Sequence, residues 1–252
     1  MEFQTIVARV LASGTGIITL NRPQKRNAIS IRMRQEVSVC LAAWRDASEV
    51  GAVVISGAGS VFSAGFDLDE FKEPARFPEL LESSSRYHRD LWNFPKPTIA
   101  AVNGPAMGGG LDLATLCDMR ICAASAVFGH PEVKFGAPPL ITPLRWIVGE
   151  GNARDLCLTG RRIAAEEAYR IGLVSGVEEP VVLLDHALKL ATVIQEAPAD
   201  TLRFAKEAFI GTAGTSFDEA FAVEHDRAFR EVLLKRFAGA ELNEPENARD
   251  AH

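Results

Sequence analysis

Several large protein classes leave no trace in this 252-residue chain. Its four cysteines, Cys40, Cys117, Cys122 and Cys157, have no zinc-like spacing and read as reduced core residues of a cytoplasmic protein. No apolar run reaches transmembrane length. The start, Met1-Glu-Phe-Gln, has neither a basic n-region nor an apolar h-region. Basic residues are not in excess. A net charge of −6 gives no general attraction to nucleic acid or to a membrane surface, so neither partner is expected. His-Glu-x-x-His, Cys-x-x-Cys and nucleophile-elbow patterns are missing, which leaves metal and serine-hydrolase chemistry without a motif, and no metal site is expected. Neither a clear repeat nor a low-complexity run occurs. What remains is an ordinary globular composition, 47% hydrophobic and 24% charged, long enough for a sizeable core.

Against that background the segment Asn103-Gly-Pro-Ala-Met-Gly-Gly-Gly-Leu-Asp112 stands out. It follows an apolar, β-prone run, Pro97 to Val102, and opens a helix-compatible stretch, Leu111 to Leu116. Three glycines at a strand-to-helix junction let backbone N–H groups approach a ligand without interference from a β-carbon. The helix start adds partial positive charge, which suits a phosphate or a developing oxyanion. The pattern is neither Gly-x-Gly-x-x-Gly nor a P-loop, so nucleotide motifs do not account for it. A second glycine junction, Val61-Phe-Ser-Ala-Gly-Phe-Asp67-Leu, follows the strand candidate Ala52 to Ser56. Two such junctions can supply one amide each to an oxyanion hole; tight-turn glycines are the plainer explanation for either one alone.

Periodicity predicts further strands at 17–20, 98–102, 119–123 and 127–128. Ser30 is a plausible N-cap for a helix through Ala47 with Val37, Leu41 and Trp44 on one face. Residues 72–90, with Pro74 and Pro78, read as a mobile, partly helical excursion with His88 exposed. Helices are predicted over 142–149, 152–159, 164–171, 182–196, 199–211 and 216–237, and a fraying polar tail from Ala238.

An ordered set of motifs resembles the crotonase superfamily, the enoyl-CoA hydratase/isomerase family. It comprises Leu20-Asn-Arg-Pro23 with Asn27-Ala28, Phe62-Ser-Ala-Gly-Phe-Asp-Leu68, Lys96-Pro-Thr-Ile-Ala-Ala-Val-Asn-Gly104 and Gly108-Gly-Gly-Leu-Asp-Leu-Ala114. Cys117-Asp118, Phe128-Gly-His-Pro-Glu132, Leu158-Thr-Gly160 and Ile171-Gly-Leu-Val174 complete it. Each motif is weak alone; in this order they are specific. The resemblance implies an α/β crotonase (ClpP-like) fold. A ββα spiral that binds acyl-CoA would span residues 1–195, and a C-terminal helical oligomerisation region residues 196–252, giving a homotrimer or a dimer of trimers.

The same resemblance assigns roles. Asp112 and Glu132 occupy the positions of two glutamates that share the catalytic water in hydratases. Glu132 would exchange a proton with the substrate α-carbon, and Asp112 would activate the water. The backbone N–H groups of Phe66 and Gly109 would hold the thioester oxygen as it becomes an enolate. Coenzyme A, which is part of the substrate and not a separate cofactor, would lie along Ser63, Ala64, Gly65, Asp67 and Leu68, with Ala28 and Gly108 beside it. Arg22, Lys25 and Arg26 form a basic cluster suited to its phosphates. By themselves, Asp112 reads as a first-turn helix acid, Glu132 as a surface glutamate and the three cations as a solvated face. Asp118 most simply anchors a turn, and His130, next to Pro131-Glu132, tunes the acid at most.

This chain also departs from the family. After Glu132 it reads Val133-Lys-Phe-Gly-Ala-Pro-Pro-Leu-Ile-Thr-Pro143, where hydratases have a longer glycine-rich loop that helps hold the water. Dienoyl-CoA isomerases carry a third acid where Leu140 stands, and simple enoyl-CoA isomerases keep only the second acid. The family's C-terminal acid-and-base-rich pattern is missing. Hydration of a 2-enoyl-CoA is the expected reaction, double-bond isomerisation through Glu132 the alternative, and a non-catalytic CoA-ester-binding relative the third reading.

Overall fold

The computed structural model describes residues 2–237; the polar tail expected from Ala238 lies outside them. Cα proximity divides the chain into two units that meet between Ala197 and Pro198.

The first unit is built on a six-stranded sheet. Strands β1 (Ile6–Val10) and β2 (Thr15–Leu20) form an antiparallel hairpin, with Ile6 opposite Leu20. Helix α1 (Ile31–Arg45) then crosses to β3 (Ala52–Gly57), and α2 (Phe77–Trp92) crosses to β4 (Thr98–Val102). A two-residue strand, β5 (Ala106–Met107), leads into α3 (Gly109–Leu116) and β6 (Met119–Ala123). Next come β7 (Val127–Gly129), α4 (Thr142–Thr159), β8 (Arg162–Ala164), α5 (Ala165–Arg170), β9 (Val177–Glu178) and α6 (Leu183–Ile194). The sheet order is β1-β2-β3-β4-β6-β9, parallel from β2 onward. A smaller sheet, β5-β7-β8, stands apart from it and carries the site.

Both faces of the central strands are covered, which explains their continuous apolar runs. Alternate residues face opposite ways. Val53, Ile55, Ala100 and Val102 join the main core with Met33, Leu41, Tyr87, Leu91 and Phe128. Ala52, Val54, Ile99 and Ala101 pack instead with Leu183, Ala187 and Ala191 of α6. Each fully buried aliphatic side chain contributes about 1.5–3 kcal/mol.

Local signals set several boundaries. The Ser30 hydroxyl accepts from Met33 N–H at 3.2 Å and starts α1. Lys96 Nζ donates to the carbonyls of Trp44 and Ala47 at 2.6 Å and closes its far end. Asp118 Oδ2 accepts from Thr98 N–H and Oγ1 and ties the start of β6 to the start of β4.

The region 72–90 differs from the expectation. A regular helix runs from Phe77 to Trp92, because Pro78 falls in its first turn, where a missing N–H costs nothing. Leu80, Ser83, Tyr87 and Leu91 form its buried stripe. The two helices expected between 142 and 159 are both present as segments of α4, parted at Gly149, whose φ of 76° breaks the helical path. Strands β1, β5, β8 and β9 were not foreseen; two of them are only two residues long.

In the second unit, α7 (Ala199–Gly211) precedes a continuous helical run from Phe217 to Phe237. That run begins as α8 (Phe217–Phe221), widens to π-winding over Ala222–Arg227 and Phe229–Leu233, and ends as α9 (Leu234–Phe237). A capping box joins Ser216 and Glu219 at its start. Arg227 bonds Glu207 of α7 and lies over the Phe204 ring.

Candidate functional site

The chain reaches the site along the edge of the small sheet. Ser63 pairs with Ala106, and Phe66 with Ile29, as single parallel bridges. Around Phe66 the bridging bonds use the carbonyl of Gly65 and the N–H of Asp67, both to Ile29. Successive N–H groups of an extended chain point to opposite sides, so the Phe66 N–H faces away from Ile29. Ser63 is fully buried, with its hydroxyl donated to the Asn27 carbonyl.

Asn27 sets this loop. It is fully buried at φ 52°, its amide donates to the carbonyls of Ala58 and Val61, and its side-chain oxygen accepts from Arg22 N–H. Asparagine tolerates the left-handed conformation. In the sequence Asn27 is only part of a motif, and its three side-chain bonds become visible only in the tertiary structure.

Helix α3 begins against this loop. Gly108 has φ 51° and ψ −124°, a conformation that L-residues avoid. The first helical bond runs from Asp112 N–H to the Gly108 carbonyl, so Gly109 N–H is among the first-turn donors with no partner inside the helix. A β-carbon on Gly65 would lie 3.2 Å from Gly109 N and 2.7 Å from the Met107 carbonyl oxygen. The two amide-bearing segments are therefore in direct contact, and only glycine at position 65 allows it. The Phe66 ring covers Gly109 and is held in turn by the Arg34 guanidinium, 4.9 Å from its centroid, and by the edge of His88.

Asp112 is buried on α3, and burial pushes its carboxyl up to about 7, with Glu132 adding to the rise and His130 opposing it. After β7 the chain turns at His130 into a short 3-10 turn, Pro131–Phe135, which carries Glu132. His130 is fully buried. Its Nδ1 lies 2.7 Å from Glu132 Oε1, and its Nε2 lies 3.8 Å from Asp112 Oδ1. Asp112 Oδ1, His130 Nε2 and Glu132 Oε2 are all buried without a hydrogen-bond partner. The two acids, twenty residues apart in sequence, thus flank one imidazole. Reading His130 as no more than a tuning neighbour missed its place between them. The available signal was its spacing: residues two apart across a proline can share one carboxylate.

Asp112 also lines a cavity of about 560 Å³. Phe66, His88, Trp92 and Trp146 form its aromatic wall, and Pro138, Pro139, Leu140 and Pro143 from the loop after Glu132 form another side. Trp92 and Trp146 pack with ring centroids 5.6 Å apart. Glu132 is not part of this lining and approaches the site from the Gly108 side. His88, expected on the surface, is half-buried here. Its Nδ1 donates to the Ser84 carbonyl at 2.7 Å, and burial lowers its proton affinity, so it is a neutral ring.

The candidate CoA residues divide. Ser63, Ala64, Gly65, Asp67 and Gly108 come together around the loop, with Ala28 half-buried beside it. Leu68 is 73% exposed. Arg22 bonds Asp67 at 2.8 Å and the Ala28 carbonyl at 2.7 Å, so its guanidinium is engaged within the loop. Lys25 meets Asp69 at 3.3 Å, and Arg26 lies exposed at φ 52°. Among the described residues no group of three or more metal-ligating side chains is placed to hold an ion, and no helix is long and apolar enough to cross a membrane.

A first-turn amide at Gly109, the buried acid Asp112, the half-buried acid Glu132 and an aromatic cavity suit proton transfer next to a carbonyl that gains negative charge. Comparison with known proteins points the same way. Residues 11–233 match the family described as enoyl-CoA hydratase/isomerase. A probable enoyl-CoA hydratase of Mycobacterium bovis is 37% identical over 227 residues, covering 89% of this chain and 88% of that protein. The short-chain-enoyl-CoA hydratase of Clostridium acetobutylicum is also 37% identical, over 86% of this chain and 85% of its own length. The crystal structure of enoyl-CoA hydratase from Bacillus anthracis superposes with a TM-score of 0.87 at 30% identity, covering 91% of each chain. Fold and site together define a crotonase-fold enzyme. Within that class, the chain belongs to the enoyl-CoA hydratase/isomerase family.

Proposed function

We propose that this enzyme adds water across the 2,3 double bond of an enoyl-CoA thioester. In this reading the amides of Phe66 and Gly109 bind the thioester oxygen and stabilise the enolate. Asp112 takes a proton from the attacking water, and Glu132 delivers one to the α-carbon. The pair of carboxylates flanking buried His130, set against the Gly108 turn, carries this reading. Coenzyme A enters as part of the substrate, with no separate cofactor. Its phosphates are assigned to the cluster of Arg22, Lys25 and Arg26, of which Arg22 and Lys25 also bond Asp67 and Asp69. We further propose a cytoplasmic homotrimer or dimer of trimers acting in fatty-acid or other lipid metabolism.

One observation favours double-bond isomerisation as the second reading. The proline-rich loop after Glu132 forms cavity wall through Pro138, Pro139 and Leu140, in place of the glycine-rich backbone with which hydratases hold water. Incubation with crotonyl-CoA, a 3-enoyl-CoA and a 3,5-dienoyl-CoA, followed by product identification, separates the readings. A 3-hydroxyacyl-CoA from crotonyl-CoA is expected. Migration of the 3-enoyl bond without hydration establishes the isomerase, and binding of all three without turnover establishes a non-catalytic relative.

A further inference from the structure

Among the described residues, Arg34 is the largest side chain that is fully buried. It lies on α1, one turn past the Ser30 cap. All three guanidinium nitrogens have a partner. Nε donates to Ser83 Oγ at 3.1 Å, Nη1 to the Ile29 carbonyl at 3.4 Å and Nη2 to Glu70 Oε2 at 3.4 Å. Glu70 is held in turn by the Ile31 N–H, at 2.9 and 3.0 Å from its two oxygens. A buried ion pair is weak ground for stability. Taking both charges out of water offsets much of their attraction, and well-packed apolar side chains often serve as well. Stability alone therefore does not account for an arginine here; what the guanidinium grips does.

The Ile29 carbonyl that takes Nη1 also accepts the Asp67 N–H at 3.3 Å, and the Ile29 N–H donates to the Gly65 carbonyl at 2.8 Å. Those two backbone bonds fix the chain on either side of Phe66. The guanidinium carbon lies 4.9 Å from the centre of the Phe66 ring, a contact that strengthens out of water. The same ring packs on Gly109, where a β-carbon would meet its Cδ1 at 3.0 Å. Arg34 thus holds both the carbonyl that anchors the Phe66 backbone and the ring that covers the second amide. Its flat fork meets a hydroxyl, a carbonyl, a carboxylate and an aromatic face at once, which the point charge of a lysine does not. We propose that Arg34 is a positioning residue for the oxyanion hole, fixing Phe66 against Gly109 so that both N–H groups meet one thioester oxygen. In this role it forms no bond to the substrate and moves no proton. Ser83, which receives Nε, donates its own hydrogen to the Leu80 carbonyl at 3.2 Å, so α1, α2 and the Gly65–Glu70 loop close on one side chain.

The proposal rests on the assignment of the Phe66 and Gly109 amides to the thioester oxygen, and one experiment separates the two. Hexanoyl-CoA is saturated and can be neither hydrated nor isomerised. Labelled with 13C at the thioester carbonyl and bound to the full-length protein, it reports on that oxygen through its infrared stretch, which falls when the oxygen accepts hydrogen bonds. A lowered stretch is expected in the wild type. In Arg34→Lys roughly half or more of the lowering should be lost, kcat on the active enoyl-CoA should fall about tenfold or more, and KM should stay within about threefold. A folded Arg34→Lys protein that keeps most of the lowering, or that changes KM alone, overturns the proposal; an arginine that only ties helices together gives that result with a lower melting temperature. If Arg34→Lys does not fold, Phe66→Leu decides, because it removes the ring and leaves the Arg34–Glu70 pair in place. Loss of the lowering then supports the clamp, and full retention overturns it. A wild type that does not bind hexanoyl-CoA, or binds it with the carbonyl unshifted, refutes the oxyanion assignment itself, and the role of Arg34 falls with it.

Discussion

The Glu132 carboxylate lies against the α-carbon of Gly108: a β-carbon there would sit 3.0 Å from Oε2 and 3.4 Å from Cδ. The backbone at Gly108 is also in a conformation closed to L-residues. Both constraints act on one residue, and it is the residue that aims the Gly109 amide. Gly108→Ala must therefore either unwind the start of α3 or push the acid away. Turnover should fall at least about 100-fold, comparable to loss of one oxyanion donor, while far-ultraviolet circular dichroism stays native. Activity within threefold of wild type would show that this contact has no part in the site.

The two acids should separate the candidate reactions. For a hydratase, Asp112→Asn and Glu132→Gln each remove a proton-transfer group and should lower kcat by about 10²–10⁴-fold. For a simple isomerase, Glu132→Gln abolishes bond migration and Asp112→Asn leaves it largely intact. Steady-state kinetics on crotonyl-CoA and a 3-enoyl-CoA read both outcomes.

Asp112 should make stability fall with pH. Its folded carboxyl is pushed up to about 7 from an ordinary value of 3.8. Between those values the folded state binds more protons at this group than the unfolded one, so Asp112's own contribution to stability is greatest below 3.8 and declines as pH rises through 7. Asp112→Asn removes that penalty. The variant should melt higher than wild type at pH 8, and the gap should narrow toward pH 4.5. Thermal unfolding at several pH values checks the sign, and a variant less stable at pH 8 would contradict it.

Asn27 is expected to matter for the fold more than for chemistry. Asn27→Ala removes three side-chain bonds and leaves the Ala58 and Val61 carbonyls and the Arg22 N–H short of a partner. These groups are partly buried, so at the low end of about 1–3 kcal/mol for each group left unsatisfied the loss should be about 3 kcal/mol. It also puts a left-handed φ on alanine. Urea unfolding gives the number, and a loss under 1 kcal/mol would mean the loop is held by other contacts.

Acyl preference should respond to the aromatic wall. Trp92→Ala removes the ring packed on Trp146 and enlarges the cavity. The ratio of kcat/KM for a C8 over a C4 enoyl-CoA should rise by about tenfold or more. A constant ratio would place the acyl chain elsewhere.

Much of this molecule was legible before folding. The glycine triplet, the two strand-to-helix junctions and the Asp112–Glu132 spacing are local patterns. So are the apolar runs of β3, β4 and β6, and the Ser30 cap. Each depends on backbone preference or periodicity, which neighbours in sequence carry. Motif order then sufficed to identify the family. What only tertiary structure decided depends on groups that are distant in sequence or on burial. His130 looks incidental in sequence because nothing local shows that a helix residue 130 − 112 = 18 positions earlier delivers a second carboxylate to its far nitrogen. Residues 72–90 read as a mobile, partly helical excursion, with His88 exposed, because prolines and charges dominate their composition, whereas the buried stripe is set by what α2 packs against. Arg22 reads in sequence as one of three clustered cations, and only the fold shows Asp67 within 2.8 Å of it. A charge has no fixed role in sequence; the dielectric and the partner that the fold supplies assign one.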